Sequence, residues 1–162
     1  MSRDRSLTTT IALVAIVAAL AVAVVLLGVK HLGQSDDAEQ REKAAQAARQ
    51  MGVNLMTLDY NNAQRDLDRI VAGTTGNLKN QLATQSKTFM DQLAKTQAKS
   101  GVSQVDAGLV SLKGDSAEVM VSLNGTVTNP KVTNGVARPY RFLMDLTRSG
   151  DRWLVSKLEM VP

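Results

Sequence analysis

The longest apolar segment of the chain covers residues 11–29, which contain no charged residue and no proline. A helix of about 20 residues, rising about 1.5 Å per residue, crosses roughly 30 Å of hydrocarbon. The apolar core of a cleaved signal peptide is shorter, about 7–15 residues, and ends at a small-x-small site. This segment is longer and is followed by Lys30, His31 and Leu32. The pattern therefore favours an uncleaved transmembrane helix.

The charges that flank the apolar segment predict its orientation. Arg3 and Arg5 precede it, whereas Lys30 follows it closely before a group of acidic residues. Because Lys and Arg are retained on the cytoplasmic side, residues 1–10 are expected to be a short cytoplasmic tail. Residues 30–35 then form a joint. The rest of the chain, residues 36–162, is expected to be an extracytoplasmic (periplasmic) domain at the plasma membrane.

The first part of this domain shows helical spacing of apolar residues. Asp36 and Glu39 have the spacing of a capping box and open a helix predicted to run to residue 58. Its apolar face is spaced by three and four residues and consists of Ala44, Ala48, Met51, Leu55 and Leu58. A second helix is predicted from residue 62 or 63 to 71, and a third from the Thr74, Thr75 and Gly76 break to about residues 99–101.

After Gly101 the period of the apolar residues changes from helical to alternating, which is typical of strands with one buried face. Four strands are predicted, at about residues 102–112, 116–123, 140–147 and 152–161. The connection over residues 129–139 contains two prolines and Gly135 and is expected to be an exposed loop.

Helices followed by an antiparallel meander predict an α+β domain in which about three helices pack on one face of a four-stranded sheet. An N-terminal transmembrane helix followed by this arrangement is the layout of bitopic membrane proteins with a nuclear-transport-factor-2-like, cone-shaped outer domain.

Composition narrows the chemistry of the outer domain. Its basic and acidic residues are interspersed without a basic stripe, so no nucleic-acid partner is expected. The chain has no cysteine, and its single histidine, His31, adjoins the apolar segment. Thiolate chemistry, histidine metal sites and Ser–His pairs are therefore excluded from the outer domain. We expect no enzyme activity, no metal and no cofactor.

Six short motifs run from residue 58 to residue 156 in a characteristic order. They are Leu58-Asp59-Tyr60, Asp66-Leu67-Asp68-Arg69, Ala72-Gly73-Thr74-Thr75-Gly76, Val127-Thr128-Asn129, Tyr140-Arg141 and Trp153-Leu154-Val155-Ser156. Together they resemble the Mce-associated membrane proteins of actinobacteria, over essentially the whole chain. Leu78 departs from that family, which commonly has an aromatic residue there, and the departure bears on which transporter is served.

The resemblance implies a non-catalytic accessory or assembly subunit that stabilises or scaffolds an Mce-type lipid import complex. Its partners would be the membrane, transporter subunits such as the permease or Mce-domain proteins, and also lipid. The family-motif residues that the resemblance singles out are Asp59, Tyr60, Asp68, Thr74, Thr75, Gly76, Asn129 and Trp153.

Several of these residues allow two interpretations. Asp59 and Tyr60 could form an acid–base pair, but a helix cap and a packed tyrosine are favoured. Asp66 and Asp68, beside two arginines, are expected to form exposed ion pairs rather than a metal site. The Thr-Thr-Gly break could bind an anion such as a lipid headgroup, although capping of the next helix is favoured. For Trp153, packing is favoured over a ligand platform.

A stripe of small residues on the predicted membrane helix is a candidate partner-binding face. Spacings of three and four residues place Ala12, Ala15, Ala19 and Ala23 on one side. Small residues let helices approach closely in lipid, but an alanine-rich anchor without a partner explains the same pattern.

Three other functions remain as alternatives to the transporter subunit. The same architecture fits a scaffold subunit of a type IV secretion-like machine. A small isomerase-like enzyme and a lipid-binding domain are the other two, and the lack of histidine and scarcity of aromatic residues disfavour the enzyme.

Overall fold

Residues 36–162 form three α-helices, one short 3-10 helix and four β-strands in the computed structural model, which describes this part of the chain. The helices are α1 (36–56), α2 (Ala63–Ala72) and α3 (Gly76–Thr96), with the 3-10 helix at Tyr60–Asn62. The strands are β1 (Lys99–Lys113), β2 (Ser116–Asn129), β3 (Val132–Ser149) and β4 (Arg152–Val161). They form one antiparallel sheet in sequential order.

The predicted cytoplasmic tail, membrane helix and joint, together with the alanine stripe, lie outside the described residues. Between residues 36 and 162, no helix has the length and apolarity needed to cross a membrane. Residues from Arg41 to Pro162 form one compact unit, and the contacts described below lie within it.

The ends of the helices differ from the prediction at two places. Helix α1 ends at residue 56 instead of 58, because Leu58 leaves the helix to accept a hydrogen bond from the Ser100 N–H at the start of β1 (2.8 Å). Helix α3 ends at Thr96 instead of near residue 100, because Gln97 adopts a left-handed conformation (φ 51°) that closes the helix. β1 consequently begins at Lys99, three residues earlier than predicted.

The prediction of an exposed loop over residues 129–139 is wrong. The Asn129 side chain accepts hydrogen bonds from the Lys131 and Val132 N–H groups (both 2.9 Å), which makes a tight turn, and β3 starts at once. Pro139 is tolerated in β3 because it lies beyond the part of the strand that pairs with β4, which begins at Arg141. Gly135 lies inside β3 with φ 59°, a conformation that favours glycine.

The hydrophobic core lies between the helices and the inner face of the sheet, as the alternating pattern predicts. The sheet contributes Ala117, Val119, Val121, Leu123, Phe142, Met144, Leu146, Trp153 and Val155. The helices contribute Ala44, Ala48, Met51 and Ile70.

At Gly52, α1 lies close against the sheet. A Cβ atom added there would lie 2.9 Å from Val121 Cγ1 and 3.3 Å from Leu123 Cδ2. Both neighbours are almost completely buried in β2, so they cannot move aside at low cost. The absence of a side chain at residue 52 therefore allows α1 to lie directly on the sheet.

We expect Gly52→Val to destabilise the domain, because its branched side chain would overlap Val121 and push α1 away from β2. Overpacking of a core typically costs about 1–3 kcal/mol. Thermal melting of the full-length protein in detergent should therefore show a lower Tm. Gly108→Val is the matched control, since nothing lies within 4 Å of a Cβ atom at that exposed strand position. Equal Tm values for the two variants would contradict the close contact at Gly52.

Candidate functional site

Asp59 lies at the crossing from the helices to the edge of the sheet. Its backbone is extended, and its Oδ1 atom accepts a hydrogen bond from the Asn61 N–H (2.9 Å), so Asp59 is the N-cap of the 3-10 helix. Its Oδ2 atom lies 3.1 Å from Lys99 Nζ on β1. The structure thus places Asp59 in the capping role that the sequence favours.

These donors set the charge state of Asp59. The Asn61 N–H and then the Lys99 ammonium hold the pKa of the Asp59 carboxyl below its usual value. The carboxyl of Asp59 therefore has a lower pKa in the folded than in the unfolded protein. Its contribution to the free energy of unfolding is present above the unfolded-state pKa and is lost as the pH falls through the folded-state pKa. Asp59 is therefore an anion at neutral pH, whereas a general acid needs a raised pKa.

Tyr60 continues this crossing. Its N–H donates to the Ala98 carbonyl (3.2 Å), and the Lys99 ammonium lies 5.4 Å from the centre of its ring. The distance is within the range of a cation–π contact. Tyr60 is half-exposed, so the residue packs at the edge of the sheet as the sequence favours.

Asp66 is the buried centre of the same region, and the prediction that it forms an exposed ion pair is wrong. The residue is 2% exposed, and its Oδ2 atom accepts a hydrogen bond from the Asp59 N–H (2.9 Å). Its Oδ1 atom lies 3.4 Å from Arg69 and 3.5 Å from Arg65. Asp66 is buried because the chain between α1 and α2 folds back over the first turn of α2.

Arg69 and Asp68 are the other two charged residues of this motif on α2, and their contacts differ. The Arg69 guanidinium donates to the Thr57 carbonyl (2.9 Å), so Asp66 and Arg69 together bind the end of α1 to α2. Arg69 Nε is buried and has no hydrogen-bond partner among the described residues. Asp68 lies on the exposed face of α2 and accepts a hydrogen bond from Gln64 (2.7 Å).

The Thr-Thr-Gly break joins α2 to the opposite edge of the sheet, beside β4. The Thr74 hydroxyl donates to the Val71 carbonyl (2.9 Å) and therefore closes α2. Thr75 occupies the N-cap position of α3, but its side chain makes no capping hydrogen bond, so the predicted side-chain cap is wrong. Instead, its N–H donates to the Val155 carbonyl (2.9 Å). Gly76 starts α3 with φ 58°, a conformation that favours glycine.

Asn129 and Trp153 lie next to opposite ends of β3. Asn129 forms the β2–β3 turn, whereas Trp153 is the second residue of β4, pairs with Arg148, and is 5% exposed in the core. The buried position agrees with the packing role favoured for Trp153. The family-motif residues are thus distributed over the two helix junctions, the exposed face of α2, the β2–β3 turn and the beginning of β4, and they do not meet in one cavity.

An open groove of about 440 Å³ lies between α1, the end of α2 and the β3–β4 turn. Its wall includes Asn54, which is 7% exposed and accepts a hydrogen bond from Gln50 (2.9 Å). Arg152 borders the groove and donates to the Ala72 carbonyl (3.0 Å). Sequence reasoning missed these residues, although Asn54, three positions after Met51, lies beside the predicted apolar face of α1.

The described part of the chain offers no metal centre. Nowhere in residues 36–162 do three His, Cys, Asp or Glu side chains come close enough to hold a metal ion. Asp59, Asp66, Thr74 and Asn129 all form side-chain hydrogen bonds to backbone groups at these junctions.

The family of the chain follows from its match to known proteins. A family model described as "Uncharacterized protein Rv1363c/MT1408-like" matches residues 5–162. The chain belongs to this family. A relative in Mycobacterium tuberculosis (strain ATCC 25618 / H37Rv), Rv1363c, is 26% identical over 133 residues, which are 80% of this chain and 51% of the relative. The Rv1363c-like chain thus spans about half the length of that protein.

Solved structures resemble the domain at low sequence identity. An Ntf2-like protein involved in plasmid conjugation has a TM-score of 0.53 and 16% identity, over 75% of this chain and 48% of that one. An IcmL-like type IV secretion system protein from Legionella pneumophila has a TM-score of 0.57 and 14% identity, over 75% and 92%. The periplasmic domain of DotI has a TM-score of 0.55 and 13% identity, over 73% and 92%.

These likenesses show the fold of the Rv1363c-like chain. It is the predicted NTF2-like α+β fold, with three helices on an antiparallel sheet. The DotI domain is a periplasmic one.

We expect Asp66→Ala to destabilise the domain, because it removes the acceptor for the Asp59 N–H and leaves Arg69 without its carboxylate. Both arginines are partly exposed, so the main cost is the Asp59 N–H left without its acceptor, about 1–3 kcal/mol. Chemical denaturation of the full-length protein in detergent should show a midpoint at lower denaturant concentration.

The control for this variant is Asp68→Ala, which removes an exposed carboxylate from the same helix and should change the free energy of unfolding by no more than about 0.5 kcal/mol. If the two variants have the same midpoint denaturant concentration, Asp66 does not stabilise the junction between α1 and α2.

Proposed function

We propose that the chain is a non-catalytic accessory or assembly subunit that stabilises or scaffolds an Mce-type lipid import complex at the plasma membrane. Residues 11–29 anchor it, the N-terminus lies in the cytoplasm, and residues 36–162 form the extracytoplasmic domain. The partners are transporter subunits, such as the permease or the Mce-domain proteins.

One observation supports this proposal: several side chains of the motifs that resemble those of Mce-associated proteins hold elements of the fold together. Asp59 joins the 3-10 helix to β1, and Thr74 closes α2. Asn129 shapes the β2–β3 turn. Motif residues with structural roles support a domain that acts through its shape and its surface.

The packing of the core supports the non-catalytic part of the proposal. A small-molecule enzyme needs a cavity in which an acid and a base converge on the substrate. At Gly52 the backbone of α1 lies directly on Val121 and Leu123, which closes the space between helix and sheet at that point. Asp59 and Tyr60 lie outside this space, at the edge of β1.

A scaffold subunit of a type IV secretion-like machine is the second candidate. The similarity in fold to the IcmL-like secretion protein and to the DotI periplasmic domain favours it. Both candidates place a rigid outer domain beside a membrane complex, so the identity of the partners separates them.

The proposed topology predicts that a reporter enzyme fused after Pro162 is active outside the cytoplasm, because the Lys and Arg bias retains the N-terminal flank inside. Phosphatase and fluorescent-protein fusions to the full chain measure this directly. A matched fusion to a chain that lacks residues 11–29 should lose the external activity. Cytoplasmic activity of the full-length fusion would overturn the topology.

We expect the tagged full-length protein, purified from native membranes in mild detergent, to carry the permease and Mce-domain proteins with it. Mass spectrometry identifies the partners. Asp59→Asn and Tyr60→Phe should leave this recovery and lipid uptake near normal wherever folded protein persists, since both residues are structural. Recovery of secretion ATPases and channel proteins instead would favour the second candidate.

The catalytic alternative has a separate outcome in the same experiment. Loss of lipid uptake by Asp59→Asn or Tyr60→Phe, at unchanged protein level, Tm and partner recovery, would show that the two residues act on a ligand and would contradict the non-catalytic role.

A further inference from the structure

An apolar cavity of about 130 Å³ lies among the helices, away from the open groove at the β3–β4 turn. Its lining comes from the end of α1 and the residues after it, from α2 and from α3, without any residue of the sheet. The lining side chains are Leu55, Leu58, Leu67, Ile70, Leu82, Gln85 and Phe89.

The cavity has a closed floor and an open rim. Leu67 and Ile70 of α2 are 4% and 3% exposed and form the floor. Leu82 and Phe89 of α3 are half-exposed, and Gln85 between them is exposed. A ligand can therefore reach the cavity from the surface along α3.

Helix α3 buries few of its side chains completely. Leu93 is the one buried residue in its 21 residues. Leu67 on the floor is buried but does not belong to the main core cluster, whereas Ile70 does. The cavity thus lies between the main core and the side chains that α3 contributes.

The chemistry of the lining selects the ligand. Six of its seven side chains are hydrocarbon, the seventh is a neutral amide, and none is charged. An apolar cavity of roughly 150 Å³ stays dry and holds one benzene molecule. A cavity of about 130 Å³ therefore has room for about six carbon atoms of a hydrocarbon group.

We propose that this helical cavity binds the end of an alkyl chain, while the polar headgroup of the same amphiphile stays at the rim near Gln85. The inference does not depend on the identity of the transporter.

The surface around the rim favours an amphiphile over an apolar side chain of a partner protein. Lys79 lies exposed one turn before Leu82. The centres of protein interfaces are depleted in Lys, whereas a lysine one turn from the cavity suits an anionic headgroup in water.

The test uses full-length protein in lipid nanodiscs with ¹³C-labelled Leu and Ile methyl groups, titrated with sodium octanoate. Saturable chemical-shift changes should be confined to the methyl groups of Leu55, Leu58, Leu67, Ile70 and Leu82. Butanoate should bind at least about tenfold more weakly, because its chain buries fewer methylene groups.

Leu82→Trp should abolish these shifts by filling the cavity. Leu78→Trp is the matched control, since Leu78 is a half-buried leucine of α3 that does not line the cavity, and it should retain them. Gln85→Phe changes an exposed residue without touching the core and should weaken octanoate binding by closing the rim, which keeps the test valid if Leu82→Trp fails to fold.

Shifts that persist in both Leu82→Trp and Gln85→Phe, or that spread over the whole domain, would show octanoate partitioning without a site and overturn the proposal. Absence of any shift in the cavity would overturn it as well. If, in that case, Leu82→Trp but not Leu78→Trp lowers partner recovery, the cavity takes a protein side chain.

Discussion

The contact between α1 and the sheet at Gly52 is the constraint on which the rest of the structure depends. With no side chain at this residue, the helix backbone reaches Val121 and Leu123 of β2 directly. The face of α1 that packs on the sheet can then carry small side chains, such as Ala44 and Ala48. A larger residue at position 52 would lift the helix and leave gaps that these side chains cannot fill.

The close position of α1 also determines where polar groups are buried. Because α1 ends against the sheet, the chain must cross to the edge of β1 before α2 starts, and the crossing carries backbone N–H groups into a confined space. Asp66 accepts the Asp59 N–H, and Arg69 binds the Thr57 carbonyl. Buried polar groups need such partners. The spacing of the Asp59 and Asp66 motifs therefore has a structural reason: seven residues bring a carboxylate from the first turn of α2 back to the crossing.

The elements of the domain differ in how many of their side chains are buried. The sheet, α1 and the crossing are tied by the core and by hydrogen bonds at both sheet edges, including Thr75 with Val155. By contrast, α3 contributes one buried residue and borders the apolar cavity. Elements with few buried contacts are the ones that open most readily. The proposed alkyl-chain site therefore lies beside the helix that buries the fewest of its side chains.

The sequence by itself determined the α+β order, the three helices, the four strands and the inner face of the sheet. Ala117, Val119, Val121 and Leu123 alternate in the sequence and are buried in the structure, because the period of two is a local property of the chain. The capping role of Asp59 was also within reach, since it depends on residues two positions apart.

Only the tertiary structure decided the burial of Asp66, the role of Thr75, the strand in place of the predicted loop, and the cavity under α3. Each depends on residues that are distant in sequence: Thr75 meets Val155, and Pro139 is tolerated because β4 ends before it. A local pattern states which face of an element is apolar. It does not state which other element will cover that face, how closely the two approach, or where the covering remains incomplete.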